Sequence, residues 1–283
     1  SQQGKPVQII RPVAKVDDSF IIFTEASKSL LNELIAEDAI WPFDLTEGEQ
    51  LFRVTLIKLA DKSHLLMMNF HHIISDGWSI GVLMQELTIL YQAFQHGNLS
   101  PLEDLPIQYK DFSQWQRDWL AAGNQQRLTD YWKIQLADVP RLNLPLDYQR
   151  PVNDNNVGGY FSHCIKHDCQ QALHQLANQQ ECSVYMLLLN SFGCLLSKLT
   201  GQKDFTIGTP ISGRNREELE GLIGFFVNTL ALRMDFTDNP TFNESLQKTK
   251  STVLDGFAHQ ELPFDKMVAT IQADRNMAQN PLF

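Results

Sequence analysis

The chain has 283 residues, long for one hydrophobic core and comfortable for two lobes. Hydrophobic residues make up 43% and charged residues 20%, an ordinary globular composition, with a formal net charge of −10. No basic run exceeds Arg214-Asn215-Arg216, so the positive stripe that nucleic-acid binding needs is missing and that class is excluded.

Leu51–Ala60 and Ser63–His72 are extended runs separated by Asp61-Lys62, which predicts a β-hairpin. Gly77 opens a helical pattern with Ile80, Leu83, Met84, Leu87, Leu90, Tyr91 and Phe94 at three- and four-residue spacing, and Gly97 is placed to end it in the left-handed conformation. Residues 107–136 are helical and rich in aromatics, with Trp115, Trp119, Tyr131 and Trp132, and the Tyr109–Trp119 set reads as core packing. The segment 137–159 changes character, with Pro140, Pro145, Pro151, several Asn and a Gly-Gly pair. It marks the expected boundary between an N-terminal lobe, 1–145, and a C-terminal lobe, 146–283.

A strand over Tyr160–Ile165 is expected next, then a helix around Gln170–Gln179. A second helix, capped by Ser183 and stopped by Gly201, carries Val184, Leu187, Leu188, Phe192, Leu195, Leu196 and Leu199 on one face. Strands over Phe205–Thr209 and Phe225–Phe236, a helix over Glu244–Ala258 and another from about Pro263 complete the order. Helices alternate with strands in both halves, which predicts an α/β sandwich in each lobe. The longest apolar stretch, Met186–Leu199, is interrupted by Asn190, Ser191 and Lys198, too short and polar to span a bilayer. Cys164, Cys169, Cys182 and Cys194 show no metal-binding spacing and read as reduced thiols of a cytoplasmic protein. The Ser-Gln-Gln-Gly-Lys start has no initiator methionine or signal segment, as expected of a piece of a longer chain.

The sharpest local signal is His71-His72-Ile73-Ile74-Ser75-Asp76-Gly77, between the second hairpin strand and the helix. Alternate strand side chains face opposite ways, so the two histidines diverge if the strand runs to its end. Leu66, Met68, Phe70 and His72 then share one face. One histidine is expected to do chemistry and the other to support it. Asp76 can hold the turn by accepting backbone N–H groups or by pairing with an arginine. Gly77 lets a backbone N–H approach closely at a helix amino end, where an oxyanion is stabilised. Asp-Gly alone is a common turn signal, and a lone strand histidine is more often a satisfied core residue. A metal site is not expected, since no third ligand stands at helical spacing.

Taken whole, His71–Gly77 resembles the HHxxxDG motif of the condensation domains of nonribosomal peptide synthetases. Tyr109-Lys-Asp-Phe-Ser-Gln-Trp115-Gln116 is similar to the family's YxDFxxWQ, and Ile207–Ile211 through Gly224–Leu230 to its GFFVNTL region. His259-Gln260-Glu-Leu-Pro263-Phe264 resembles HQxxPF, and Arg275 through Asn280–Phe283 resembles RxxxxNPLF, all in the family's order. The family's first two motifs do not occur, and the chain stops inside the seventh, so a fragment of that domain is expected.

The resemblance implies a two-lobed, chloramphenicol acetyltransferase-like α/β fold with the active site in a tunnel between lobes. It implies a reaction between carrier-bound thioesters, delivered on phosphopantetheine arms by upstream and downstream peptidyl carrier proteins beside an adenylation domain, with no cofactor bound directly. His72 takes the catalytic position, His71 its structural partner, Asp76 a structural role, and Gly77 lends its N–H. Whether His72 is a general base or an orienting acceptor for the α-amino group stays open at this stage. Asn228 and Trp78 are candidate tunnel-lining residues, with a structural amide the other reading of Asn228. A crowded Asp76 carboxylate needs a partner, and Arg214, or failing it Arg216, is the expected one, as in related HxxxD acyltransferases.

The wording around both motifs most resembles the subtype accepting an L-configured donor. An epimerisation domain would share HHxxxDG but needs a further carboxylate base, and heterocyclising relatives replace the doubled histidine. A coenzyme A-dependent acyltransferase and a non-catalytic docking lobe are the remaining alternatives.

Overall fold

A computed structural model describes residues 7–10, 21–25, 28–46, 50–148, 159, 161–271 and 282–283. The chain divides into two units, residues 1–104 with 221–225, and residues 105–220 with 226–283.

In the first unit, β1 (Ile21–Glu25) runs parallel to the strand over Phe52–Ala60, and helix α1 (Lys28–Ile40) follows it. Strands β2 (Phe52–Ala60) and β3 (Ser63–Phe70) form the expected hairpin about Asp61-Lys62, with Phe52 opposite Phe70 and Lys58 opposite His64. The sheet order is β1-β2-β3. Arg53 ties the hairpin to the end of α1, its Nε 3.2 Å from Asp38 Oδ1 and its guanidinium 4.1 Å over the Phe43 ring. Helix α2 (Gly77–Gln95) ends as expected at Gly97, where φ is +74°. Of its apolar stripe, Ile80, Met84, Tyr91 and Phe94 are exposed and Leu83, Leu87 and Leu90 half-buried.

In the second unit, α3 (Tyr109–Trp119) is closed by a capping box in which Asp111 accepts from the Gln108 backbone N–H at 2.8 Å. A break at Gly123 (φ +98°) leads to α4 (Gln125–Gln135). Helices α5 (His167–Gln179) and α6 (Val184–Thr200) follow, then β4 (Asp204–Ile211) and β5 (Asn228–Asp235) as an antiparallel pair with Gly208 opposite Ala231. Helices α7 (Phe242–Ala258) and α8 (Phe264–Ile271) complete the unit. Leu128 and Trp132 of α4, Met186, Leu189 and Leu196 of α6, Leu230–Leu232 of β5 and Val253 of α7 share one core.

Several expectations change here. Residues 161–165 form no strand and are exposed, and among the described residues no strand lies beside them to pair their backbone groups; Tyr160 lies outside the described residues. The last motif, from Arg275, likewise lies outside them up to Leu282. Strand β5 begins at Asn228, not Phe225. Helix α6 is capped by Ser183 and ended by Gly201 (φ +73°) as expected, but it turns Met186, Leu189, Gly193 and Leu196 inward while Leu188, Phe192, Leu195 and Leu199 are exposed. Gly193 lies against β5 in this rotation: a Cβ there would stand 2.7 Å from the Met234 Cε, so a larger residue would oblige the end of that side chain to shift. The four cysteines are free thiols. Among the described residues no single helix is long and apolar enough to cross a membrane.

Candidate active site

The candidate site grows from the end of β3. Phe70 is the last strand residue, and the His71 N–H still donates to the Leu51 carbonyl at 2.9 Å. The strand therefore stops before either histidine, and strand parity is not what separates them. His71 is extended (φ −67°, ψ 131°), and its Nδ1 accepts from the Ile73 N–H at 3.0 Å, capping a single 3-10 turn over His72–Ile74. An accepting Nδ1 leaves the proton of the neutral ring on Nε2. The half-buried His71 ring lies edge-on to Phe43, with centroids 6.0 Å apart. His72, one residue on, is exposed and edge-on to Phe225 at 5.2 Å and 86°. The first histidine holds the turn, and the turn presents the second.

Asp76 closes that turn and opens α2. It is 3% exposed, and its Oδ1 accepts from the Ser79 N–H at 2.8 Å and from the Ser79 hydroxyl at 2.7 Å. This is an N-cap that satisfies a donor of the first helical turn. Gly77 follows at the first helical position. A Cβ there would meet nothing within 4 Å, so the space beside the helix N-terminus is open. Trp78 is also exposed. An exposed imidazole, a glycine N–H and the positive end of a 19-residue helix dipole thus stand within six residues of one another.

The site residues expected from the later motifs lie in the second unit. The buried Arg214 donates from Nη1 to the Leu219 carbonyl and lies 4.0 Å over the Phe226 ring. Its loop turns at Gly213 (φ +66°), where a Cβ would collide with the Phe226 carbonyl oxygen. Only glycine fits there. Arg216 is exposed and lies 4.4 Å over Trp115, so the YxDFxxWQ helix α3 supplies its platform. Asn228 spends its amide on backbone: Nδ2 donates to Gln260 O and Leu262 O at 2.8 Å each, and Oδ1 accepts from the Phe264 N–H at 3.0 Å. The GFFVNTL and HQxxPF motifs are thereby joined through one side chain.

Two features escaped the sequence reading. Ser79 Oγ lies 2.8 Å from the Gly224 carbonyl and accepts from the Gly224 N–H at 3.0 Å, a contact between residues 145 apart in sequence. The three-residue step from Asp76 to Ser79 was the available signal, but nothing in the sequence indicated Gly224. Tyr131 stacks on His259 with centroids 3.6 Å apart and an interplanar angle of 4°. Burial first, and the Asp255 carboxylate second, push the Tyr131 phenol up to about 12.

The condensation domain family model matches residues 1–283. The chain belongs to the condensation domain family. This condensation domain is 38% identical over 288 residues to one of the linear gramicidin synthase proteins of Brevibacillus parabrevis, matching 100% of this chain and 4% of that protein. It is 42% identical over 254 residues to malpibaldin synthetase of Mortierella alpina, covering 89% of this chain and 5% of that one. The chain thus spans only a few per cent of the length of these relatives. Among solved structures, the X-domain from teicoplanin biosynthesis superposes with a TM-score of 0.88 at 24% identity, covering 97% of this chain and 61% of that chain. The first condensation domain of the calcium-dependent antibiotic synthetase, solved with a substrate analogue, gives a TM-score of 0.69 at 17% identity, covering 88% and 57%. The α/β fold is therefore the chloramphenicol acetyltransferase-like fold of condensation domains, as expected.

Proposed function

We propose that the chain joins a donor acyl or peptidyl thioester to the α-amine of an aminoacyl thioester. Both substrates are held on phosphopantetheine arms of peptidyl carrier proteins, and an adenylation domain stands alongside in a cytoplasmic synthetase. The amine nitrogen attacks the donor carbonyl carbon, the C–N bond forms, the C–S bond breaks, and the donor's carrier thiol leaves. His72 accepts the hydrogen bond of the attacking amine and passes its proton towards the leaving sulfur. Gly77 N–H faces the oxyanion that develops on the carbonyl.

The observation that carries this reading is the division of labour in the pair: His71 is committed to capping its turn, while His72 is exposed beside the open Gly77. Holding two reactants together in one site supplies up to about 7–11 kcal/mol of the barrier, and a positioned imidazole adds roughly 10²–10⁴-fold. The donor is of L configuration, from the wording around both motifs, and the lobes are 1–145 and 146–283. The proposed partner of the buried Asp76 is Arg214, with Arg216 the second choice.

The test loads the flanking carrier proteins with an L-aminoacyl donor and an aminoacyl acceptor and follows dipeptide on the downstream carrier. Dipeptide that disappears with His72→Ala supports the reading. Inversion of the acceptor-side residue without bond formation would establish epimerisation instead, and turnover of free coenzyme A thioesters a standalone acyltransferase. No product from any loaded pair would leave a docking role.

A further inference from the structure

We infer that Ser79 is a positioning residue for His72, acting through Gly224 and Phe225; this rests on the reading of His72 as the reacting side chain. Ser79 is fully buried at the third position of α2. Its hydroxyl stands within hydrogen-bond reach of Asp76 Oδ1 at 2.7 Å, the Gly224 carbonyl oxygen at 2.8 Å and the Gly224 N–H at 3.0 Å. A hydroxyl has one proton and two lone pairs. With a carboxylate and a neutral carbonyl both in reach, the charge-assisted bond is roughly twice as strong, so the proton goes to Asp76. That donation polarises the oxygen and strengthens its acceptance from the Gly224 N–H. The charge of Asp76 is thus relayed through one hydroxyl to a peptide group 145 residues further along.

Gly224 is followed directly by Phe225, whose ring stands edge-on to the His72 imidazole at 5.2 Å and 86°. Fixing the Gly224 peptide therefore fixes where that ring stands, and the ring restricts how the exposed imidazole turns. His72 is held from two sides, by its own 3-10 turn and by Phe225. Ser79 sets the second without touching the imidazole or any substrate. The backbone bond from Ser79 N to Asp76 survives any side-chain change at 79, so the cap and the relay are separable.

The experiment measures carbethoxylation of individual histidines by diethyl pyrocarbonate in the full synthetase, with peptide mapping, using the exposed His64 and His96 as internal references. Phe225→Leu, which removes the ring, is expected to raise the His72 rate relative to the references. Ser79→Ala is expected to raise it similarly, by about threefold or more, the lower end of coupling between residues in contact. Ser79→Ala in the Phe225→Leu background should add nothing further, and Ser79→Thr, which keeps the hydroxyl, should return the rate towards that of the parent. Should Ser79→Ala not fold, Ser79→Cys fills the same space with a weak donor and is read in the same way. An unchanged His72 rate overturns the inference, as does a rise of all three histidines together, which marks general loosening. Labelling needs no turnover, so it stands or falls independently of dipeptide formation, which alone decides the reaction proposed above.

Discussion

The turn at His71–Ser79 and the joint at Asn228 are both polar clusters at the end of a strand, yet they use their hydrogen bonds in opposite ways. Asn228 directs both ends of its amide to the backbone of 260–264, and the adjoining cavity, walled by Phe112, Trp115 and Phe226, is about 40 Å³, room for a few waters. The histidine turn spends His71 and Asp76 on capping and leaves His72 exposed beside an open glycine. A polar side chain whose bonds are all internal is part of the scaffold. One that its neighbours hold in place and leave open to solvent is poised for a ligand.

The strongest way to break this contrast is at His72. His72→Ala should lower dipeptide formation by about 10²-fold or more while leaving the melting curve in place. His71→Ala should lose activity together with about 1 kcal/mol of stability, because the Ile73 N–H loses its acceptor. An unfolded His72→Ala beside an unaltered His71→Ala would reverse the two roles.

Next comes Asp76. Asp76→Ala removes the α2 cap and leaves any partner cation buried, an expected cost of about 3–5 kcal/mol if the proposed pair with Arg214 is made. Arg214→Ala should cost a similar amount, and the double variant clearly less than the sum. Denaturant unfolding of the three variants decides it. Strict additivity, with Asp76→Ala costing only the ~1 kcal/mol of a lost cap, would rule the pair out.

Asn228→Ala should destabilise by about 3 kcal/mol, since two carbonyls and an N–H lose their partner. Asn228→Asp should cost at least as much, because it sets an oxygen against the Gln260 and Leu262 carbonyls. If instead the variants keep full stability and lose only turnover, Asn228 belongs with His72 as a substrate-facing group.

Local signals were legible where the chain answers to its own neighbours. The hairpin at Asp61-Lys62, the Ser183 cap and the Gly97 and Gly201 stops all rest on contacts a few residues apart. Asp76 as a cap was one of two readings the sequence allowed, and the contact with Ser79 selects it without excluding the other. What the sequence did not reveal depends on distant partners: Ser79 on Gly224, Asn228 on Leu262, and the rotation of α6 on its packing against β5. Tyr160–Ile165 shows the converse, a run with strand chemistry whose described residues have no neighbouring strand.

The smallest effect sharpens the scaffold side of the comparison. Tyr131 stacks on His259, which leads directly into the segment that Asn228 holds. Burial, and then the nearby Asp255 carboxylate, raise the phenol to about 12, whereas an unfolded tyrosine ionises near 10. Below about pH 10 the phenol is neutral in both states and its contribution to stability is fully present. Between about 10 and 12 the unfolded chain releases the proton while the folded chain keeps it, so stability falls as pH rises through that window. Tyr131→Phe removes the titrating group and keeps the stacked ring. The stability difference between parent and variant should therefore be flat up to about pH 10 and shift against the parent above it. Lysine and arginine titrate in the same range but cancel in the difference. Asp255→Asn should bring the phenolate absorbance transition down only part of the way, since burial is the larger cause. A difference that stays flat through pH 12 would show that the phenol is not buried in solution, and a transition that returns fully to the unfolded value with Asp255→Asn would show that the carboxylate, not burial, is the larger cause.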